Sequence, residues 1–560
     1  TAPTTAPTTA PTTAPTTAPL SAAAAAEKFA FSRLLDLMPS DEGSAFCPAS
    51  ACGDARAPLS FRALRELSRR LGEQLLGGGE WFRGGDGEAP CRAGEEGDDD
   101  DDDIASSRAR HSAYLLPHER VATSLPSSPE LAACFLALSS LLPLAPLNPD
   151  LSDAETLFEL EDLPAAALIV PAGRHSAAAR VAVPRLGLQL LVLHPDLRLC
   201  GAFTLTCATS AAVERAVRAS ASTASGSIAA AGRRPGREAI ALVMHTSGTT
   251  RRPKVVPLTH ASMGVGALCV RSTLRLDRTT LALNVMPLFH LHGLMVNVLV
   301  TALAGAPVLC LPRFEAAQFF ACLGLRPTQP SRAPAADTAE ALLGAPTTAP
   351  TWYSAVPTIH MEVLRYALSV RASTGMPPSH QLAFIRNCSA ALAPSIGEQL
   401  EEALPGALVL PTYAMTEALP ICANPRERTR RKLASVGPAA GPEVGVSSYS
   451  SDGSPGLLNL EGAPGVEGEV LVRGACVFGG YEPRAHLGYD PNLEAFYPGG
   501  WLRTGDKGWL DSEGHLHLTG RFKEVINRAG EKISPLAVEH ALLAACIGPE
   551  APDEPPTAPL

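Results

Sequence analysis

The chain has 560 residues, 46% of them hydrophobic and 18% charged, with a formal net charge of −10. That length allows more than one domain and a large core. An acidic balance without a basic stripe excludes nucleic acid as a main partner. Six of the negative charges fall in the run Asp98–Asp103, which reads as a solvated, disordered segment; without them the net would be −4. The 13 cysteines are scattered and odd in number, with no C-x-x-C. This pattern indicates neither a zinc knuckle nor a redox dithiol and suggests a reducing compartment.

Residues 1–26 open with a Thr/Ala/Pro repeat that cannot bury a core and is expected to be disordered. Apolar spacing at Phe61, Leu64, Leu67, Leu71 and Leu75 predicts a helix over Leu59–Leu76. Residues 77–112 are Gly-rich and acidic and read as an insertion. Val121–Pro146 reads as a strand followed by an apolar helix over Leu131–Leu142. Ala167–Val170, Leu190–Leu193 and Ala239–Met244 read as buried strands. Short apolar runs alternating with helical stretches indicate parallel strands in an α/β fold. Residues 208–237 form an Ala/Ser/Gly-rich connector, and residues 325–350 a second, Pro/Ala-rich insertion.

The longest uncharged stretch, Leu281–Pro312, carries Asn284, His290, His292 and Asn297 with glycine and proline breaks. It reads as a buried helix and strand rather than a membrane span. Beyond Gly468 the texture changes to short strands and turns. Gly508–Leu510 and His515–Leu518 flank the turn Asp511–Gly514 and predict a hairpin. His515 and His517 have the i, i+2 spacing of a metal pair, but without a third ligand nearby they read as ordinary strand side chains.

The chemistry concentrates in His245–His260, HTSGTTRRPKVVPLTH. Thr246, Ser247, Thr249 and Thr250 surround Gly248, and Lys254 follows. A strand ending in a small, hydroxyl-rich, glycine-containing loop with a lysine suits a polyphosphate. Backbone N–H groups and hydroxyls donate to phosphate oxygens, and the ammonium neutralises them. The run is not a G-x-x-x-x-G-K-[ST] loop. Further elements follow in order: Pro287-Leu288-Phe289-His290-Leu291-His292-Gly293, Tyr413-Ala414-Met415-Thr416-Glu417, Trp501-Leu502-Arg503-Thr504-Gly505-Asp506, Gly520-Arg521-Phe522-Lys523-Glu524 and Asn527–Pro535.

Taken together, these elements resemble the adenylate-forming superfamily of acyl-CoA synthetases, luciferases and peptide-synthetase adenylation domains. Thr351–His360 and Asn387–Pro394 resemble its oxalate–CoA ligase, or peroxisomal-CoA-synthetase-like, branch. The resemblance covers roughly residues 27–545. It implies a large multi-sheet α/β N-terminal domain with a small β-rich subdomain over 27–520, and a truncated α+β cap over 521–560.

The resemblance also implies roles. Thr246, Ser247, Gly248, Thr249, Thr250 and Lys254 would hold ATP phosphates. Tyr413 would stack on adenine, Thr416 would contact the α-phosphate, and Glu417 would help hold Mg²⁺, a hard cation suited to carboxylate oxygen. Asp506 can accept both ribose hydroxyls, and Arg521 would contact ribose or phosphate. Ser389 and Ala390 would line the adenine side, with Ser389 also at the acyl site. His290 would gate or contact the acyl carboxylate. Lys523 would sit at the hinge, and Gly530 would line the tunnel for coenzyme A. The implied partners are a small carboxylate, ATP and CoA, with Mg²⁺, in a cytoplasmic or peroxisomal setting.

Two departures qualify the expectation. The branch usually carries a histidine three residues after the motif glutamate; here Pro420 stands there and can donate no hydrogen bond. Oxalate therefore loses one anchor, and Leu419-Pro420 suits a more apolar acyl group. The family's lysine near the C-terminus is also missing, since only 40 residues follow Gly520 and none after Lys532 is lysine. The leading expectation is an ATP-dependent acyl-CoA synthetase. A nucleotide-binding pseudoenzyme, or a truncated gene product, is the alternative.

Overall fold

A computed structural model of the protein describes residues 33–49, 54–76, 115–173, 183, 185–208, 236–246, 253–324, 349–449, 455–459, 464–483, 490–522 and, near the C-terminus, 526–528, 531–533, 535, 538 and 542. The Thr/Ala/Pro repeat, most of the connector, nearly all of both insertions and the Pro-rich tail fall outside the described residues.

Three sheets carry the molecule. One of eight strands contains the parallel block Ala282–Asn284, Val308–Cys310, Trp352–Ala355, Phe384–Asn387 and Leu408–Met415, and is closed at one edge by antiparallel Ala418–Ala423. A second, of seven strands, runs in the order Phe203–Cys207, Gln189–Pro195, Ala165–Pro171, Arg120–Thr123, Leu144–Pro146, Ile240–Thr246 and Lys254–Thr259. The third is antiparallel and built from the later chain, with Gly468–Arg473 and Trp501–Leu510 at its centre. The expected α/β architecture with a β-rich subdomain is what forms.

The strand period of two explains the layering. In the eight-stranded sheet, Leu283, Leu309, Tyr353, Ile385 and Val409 face outward onto the helices Ala316–Cys322, Pro357–Thr374 and Pro394–Ala403. Their neighbours Ala282, Val308, Trp352, Phe384 and Leu410 face inward, into a core shared with the seven-stranded sheet. The helices Pro129–Leu138, His260–Leu274 and His292–Leu303 lie in that shared core. Every residue of Pro129–Leu138 is buried; nine are apolar, and the tenth, Glu130, is ion-paired with Arg56. Its start is fixed by Ser128, whose hydroxyl accepts from the Leu131 amide at 3.2 Å.

Leu281–Pro312 folds as expected, into the strand Ala282–Asn284, the helix His292–Leu303 (π-type in its first eight residues) and the strand Val308–Cys310. Among the described residues no helix is long and apolar enough to cross a membrane. The helix Phe61–Leu76 buries the five apolar positions that predicted it. Its end meets the chain's return, because the Leu115 amide donates to the Leu75 carbonyl at 2.8 Å. The expected hairpin forms between Trp501–Leu510 and Leu516–Arg521. Within it the His517 ring stacks on Trp509, with centroids 4.2 Å apart, and is 3.1 Å from Asp511 Oδ2, while His515 is buried.

The edge strand Ala418–Ala423 is held against the helix His260–Leu274 by a close approach at Gly266. A Cβ there would lie 2.1 Å from the Leu419 carbonyl oxygen and 2.7 Å from Met295 Cε. The oxygen is backbone and cannot swing aside. Gly266→Ala is therefore expected to lower stability by about 1–3 kcal/mol, read as a lower urea midpoint. An unchanged midpoint would show that the strand and helix are not in fixed register.

Candidate active site

The three sheets converge on the hairpin formed by Leu408–Met415 and Ala418–Ala423, and this convergence gathers the motif residues. Tyr413 lies on its first strand and Glu417 at its turn. The third sheet approaches from one side, where the Phe478 amide donates to the Glu417 carbonyl at 2.8 Å and Val477 bridges to Ala418. The seven-stranded sheet approaches from the other, where the Glu482 amide donates to the Val255 carbonyl at 3.2 Å and the Arg120 guanidinium pairs with the Glu482 carboxylate.

Two polar groupings result. In the first, the Tyr413 hydroxyl donates to Asp506 Oδ2, and Arg521 Nε donates to Asp506 Oδ1 at 3.0 Å. Tyr413 and Asp506 are both buried. Burial, then the neighbouring Asp506 charge, holds the Tyr413 phenol well above its ordinary pKa, so it stays a donor. The Asp506 carboxylate accepts on both oxygens, one from a phenol and one from a guanidinium.

In the second grouping the Tyr481 hydroxyl donates to Glu417 Oε1 at 2.6 Å, and Lys254 Nζ lies 4.3 Å from the centre of the Tyr481 ring. Tyr481 is fixed by Asn492, whose side chain accepts from its amide at 2.7 Å and donates to its carbonyl at 2.9 Å. Glu417 is 6% exposed. Burial raises its carboxyl above the ordinary value, opposed by Tyr481, Lys254 and Arg521. Among the described residues no group of three His, Cys, Asp or Glu side chains could enclose a metal. One buried carboxylate facing a cationic wall instead fits a cation such as Mg²⁺ that is held mainly by ligand phosphates.

Lys254 reaches this place because Ile240–Thr246 and Lys254–Thr259 pair antiparallel, with Thr246 opposite Lys254. Residues 247–252, which include Ser247, Gly248, Thr249 and Thr250, lie outside the described residues, as do Lys523 and Gly530. Thr416 adjoins Glu417 in the hairpin turn, half-buried.

The acyl-end candidates separate. Ser389 is exposed beyond the strand Phe384–Asn387, with φ +71°, and Ala390 is exposed beside it. Its Oγ is 3.1 Å from Nδ1 of His292, not of His290. His290 lies exposed with its ring 4.6 Å from Phe289. His292 is buried at the start of its helix, which turns it toward the sheet. The motif spacing alone could not say which of two histidines two residues apart faces inward.

Sequence reasoning also missed Tyr481. Its one signal was an aromatic run, Phe478-Gly479-Gly480-Tyr481, in a turn-rich stretch. It missed Arg386 too, which stood out only as a cation inside the apolar run Leu382–Cys388.

A family model described as AMP-binding enzyme matches residues 110–482. An oxalate–CoA ligase of Arabidopsis thaliana is 35% identical over 455 residues, covering 78% of this chain and 76% of that protein. A probable CoA ligase of Humulus lupulus, CCL9, is 39% identical over 319 residues, covering 54% and 51%. An oxalate–CoA ligase of Saccharomyces cerevisiae is 34% identical over 317 residues, covering 54% and 49%. The chain thus spans about half the length of the hop and yeast relatives and about three quarters of the Arabidopsis one. ATP-bound MatB from Rhodopseudomonas palustris superposes with a TM-score of 0.63 at 21% identity, over 90% of this chain and 81% of that one. MenE from Bacillus subtilis, in complex with its acyl-adenylate, gives 0.61 at 21%, over 92% and 83%. The fold is that of these two structures.

The buried Glu417 makes a stability prediction. An acid whose folded pKa lies above its unfolded value contributes less to stability as pH rises through that interval, because the folded state resists ionisation. Glu417→Gln keeps an acceptor for Tyr481 and removes the buried charge. Its melting temperature is expected to match the parent near pH 4 and to exceed it at pH 7. A lower melting temperature at pH 7 would mean that the charge is fully compensated in the fold.

Proposed function

Because the chain belongs to the AMP-binding enzyme family, we propose that it is an acid–thiol ligase that joins a small carboxylate to coenzyme A at the expense of ATP, through an acyl-adenylate. The observation that carries this reading is the convergence of Lys254, Tyr481 and Glu417 beside Tyr413, Asp506 and Arg521, from three sheets onto one hairpin. One cluster carries a buried carboxylate and an ammonium, as a metal-bound polyphosphate requires. The other carries an aromatic face and a hydrogen-bonded carboxylate, as a nucleoside requires.

In this reading Thr246, Ser247, Gly248, Thr249, Thr250 and Lys254 hold the β- and γ-phosphates. Thr416 contacts the α-phosphate. Glu417 is the protein ligand of Mg²⁺, which when bound neutralises charge on the phosphate oxygens. Tyr413, Asp506, Ala390 and Arg521 fix the nucleoside. The Lys254 ammonium, beside the Tyr481 ring, stabilises charge building on the departing pyrophosphate. The carboxylate oxygen attacks the α-phosphorus in line, the bond to pyrophosphate breaks, and the mixed anhydride is then open to the CoA thiolate. Placing the two reactants, rather than covalent participation by the protein, supplies most of the acceleration. Lys523 and Gly530 are assigned to the hinge and the CoA path, His290 and Ser389 to the acyl end.

The named relatives include oxalate–CoA ligases, and those names support a short acid. Pro420, where a donor would serve a second carboxylate, supports a more apolar one. The ten described cysteines are thiols, eight of them buried, which suits a cytosolic or peroxisomal setting.

The test is carboxylate-dependent release of pyrophosphate from Mg-ATP by this chain, with oxalate and medium-chain fatty acids in parallel. A second sample carries a relative's C-terminal domain fused after Gly520. Release is expected, reduced about 10²–10³-fold in Lys254→Ala and in Glu417→Ala. Binding of ATP without release in either sample would favour the nucleotide-binding pseudoenzyme.

A further inference from the structure

Parallel register lines up one row of inward-facing polar side chains across the eight-stranded sheet. Asn284 is opposite Ser354, and Ser354 is opposite Arg386. All three are at most 1% exposed. The helix beginning at His292 lies over them. Arg386 Nη1 is 3.2 Å from Ser354 Oγ, Ser354 Oγ is 2.7 Å from His292 Nε2, and His292 Nδ1 is 3.1 Å from Ser389 Oγ. Among the described residues no carboxylate pairs with Arg386, and its guanidinium donates to Ser354 Oγ. A buried guanidinium is expensive to keep, which calls for a reason.

We propose that Arg386 and Ser354 are positioning residues that set the direction of a hydrogen-bond relay, Arg386 to Ser354 to His292 to Ser389, so that the Ser389 hydroxyl presents its proton to the acyl site. A guanidinium only donates, so Ser354 Oγ accepts from Arg386. The buried Ser354 hydroxyl has one other partner, His292 Nε2, and must spend its own proton there. His292 Nε2 is then an acceptor. The ring stays neutral, since burial and the Arg386 charge hold its pKa well below the ordinary histidine value. Its single proton therefore sits on Nδ1 and is donated to Ser389 Oγ. Ser389, already accepting, turns its own O–H outward.

Two further bonds hold Ser389 in place. Asn387 Nδ2 donates to the Ala390 carbonyl at 2.9 Å, and Thr412 Oγ1 donates to the Asn387 carbonyl at 2.7 Å. They brace a turn in which Ser389 adopts a left-handed φ that costs a non-glycine residue about 1 kcal/mol. Such strain persists where the surrounding structure overdetermines it. What meets an exposed, outward-donating hydroxyl is an acceptor oxygen. If the ligase reading holds, that oxygen belongs to the substrate carboxylate or to the acyl-adenylate made from it.

The relay can be tested without turnover. In the full chain labelled with ¹⁵N-histidine, ring correlations identify His292 by their loss in His292→Gln. The expected result is a proton on Nδ1 and a bare Nε2. A proton on Nε2, or on both nitrogens, overturns the proposal. Ser354→Ala, the mildest break, is expected to move the proton to Nε2 and to raise KM for the carboxylate about tenfold, as loss of one hydrogen bond to a charged group should. KM for ATP is expected not to change. An unchanged tautomer and carboxylate KM in Ser354→Ala, or equal loss toward both substrates, would overturn it. Arg386→Met should behave like Ser354→Ala. A chain with no carboxylate-dependent release under any condition would remove the ligase reading, while the His292 tautomer would still decide the relay.

Discussion

A carboxylate withdrawn from water must be compensated or it will bind a proton, and the site is organised around that constraint at Glu417. Its side chain lies where three sheets meet, and each contributes to the compensation. The eight-stranded sheet supplies the hairpin turn that carries it. The segment that follows the third sheet's strand Gly468–Arg473 supplies Tyr481, braced by Asn492. The seven-stranded sheet supplies Lys254 from the second strand of an antiparallel pair. The compensation is partial, since burial still outweighs the Tyr481 and backbone hydrogen bonds and the charges of Lys254 and Arg521. A group in that condition gains from a cation delivered with a ligand, which relates a cost in folding to a use in binding.

The same sheet logic orders the neighbourhood of Ser389. A strand in a parallel sheet presents alternate residues to opposite faces, and here the inward face carries a polar row among apolar neighbours. Asn284, Ser354 and Arg386 occupy equivalent positions on three adjacent strands. They are sealed beneath one helix, with Asn297 Nδ2 donating to Asn284 Oδ1 at 2.7 Å. This is a networked interior whose members hold one another's orientation. Its only outlet to solvent among the groups named is Ser389.

Much of the architecture was legible in the sequence because it rests on local pattern. The helix Phe61–Leu76, the strands Ala165–Pro171 and Gln189–Pro195, and the hairpin ending at Arg521 follow from apolar period and turn chemistry. Tyr413, Glu417, Asp506 and Arg521 were legible as motif residues, and the fold brings Tyr413, Asp506 and Arg521 into one hydrogen-bonded group. Tyr481 and Arg386 were not legible, for a physical reason. Each matters through partners far away in the chain: 64 residues separate Tyr481 from Glu417, and 32 separate Arg386 from Ser354. No periodicity records such pairings. Which of His290 and His292 faces the sheet was not legible for a smaller reason, since it turns on the rotation of one helix start.

The bond between the Leu75 carbonyl and the Leu115 amide has a consequence for how this chain can vary. It brings the two ends of an acidic, glycine-rich excursion to a single point at the end of a helix. Two ends held together in this way tolerate a change in the number of residues between them, because closing a chain segment costs only about 0.6 kcal/mol more for each doubling of its length. Residues 77–114 can therefore lengthen, shorten or be exchanged for a short turn while the helix and the strand Arg120–Thr123 keep their places. The scaffold has a port at that point, well separated in sequence from the hairpin that carries Tyr413 and Glu417, through which new sequence can enter by mutation or by design.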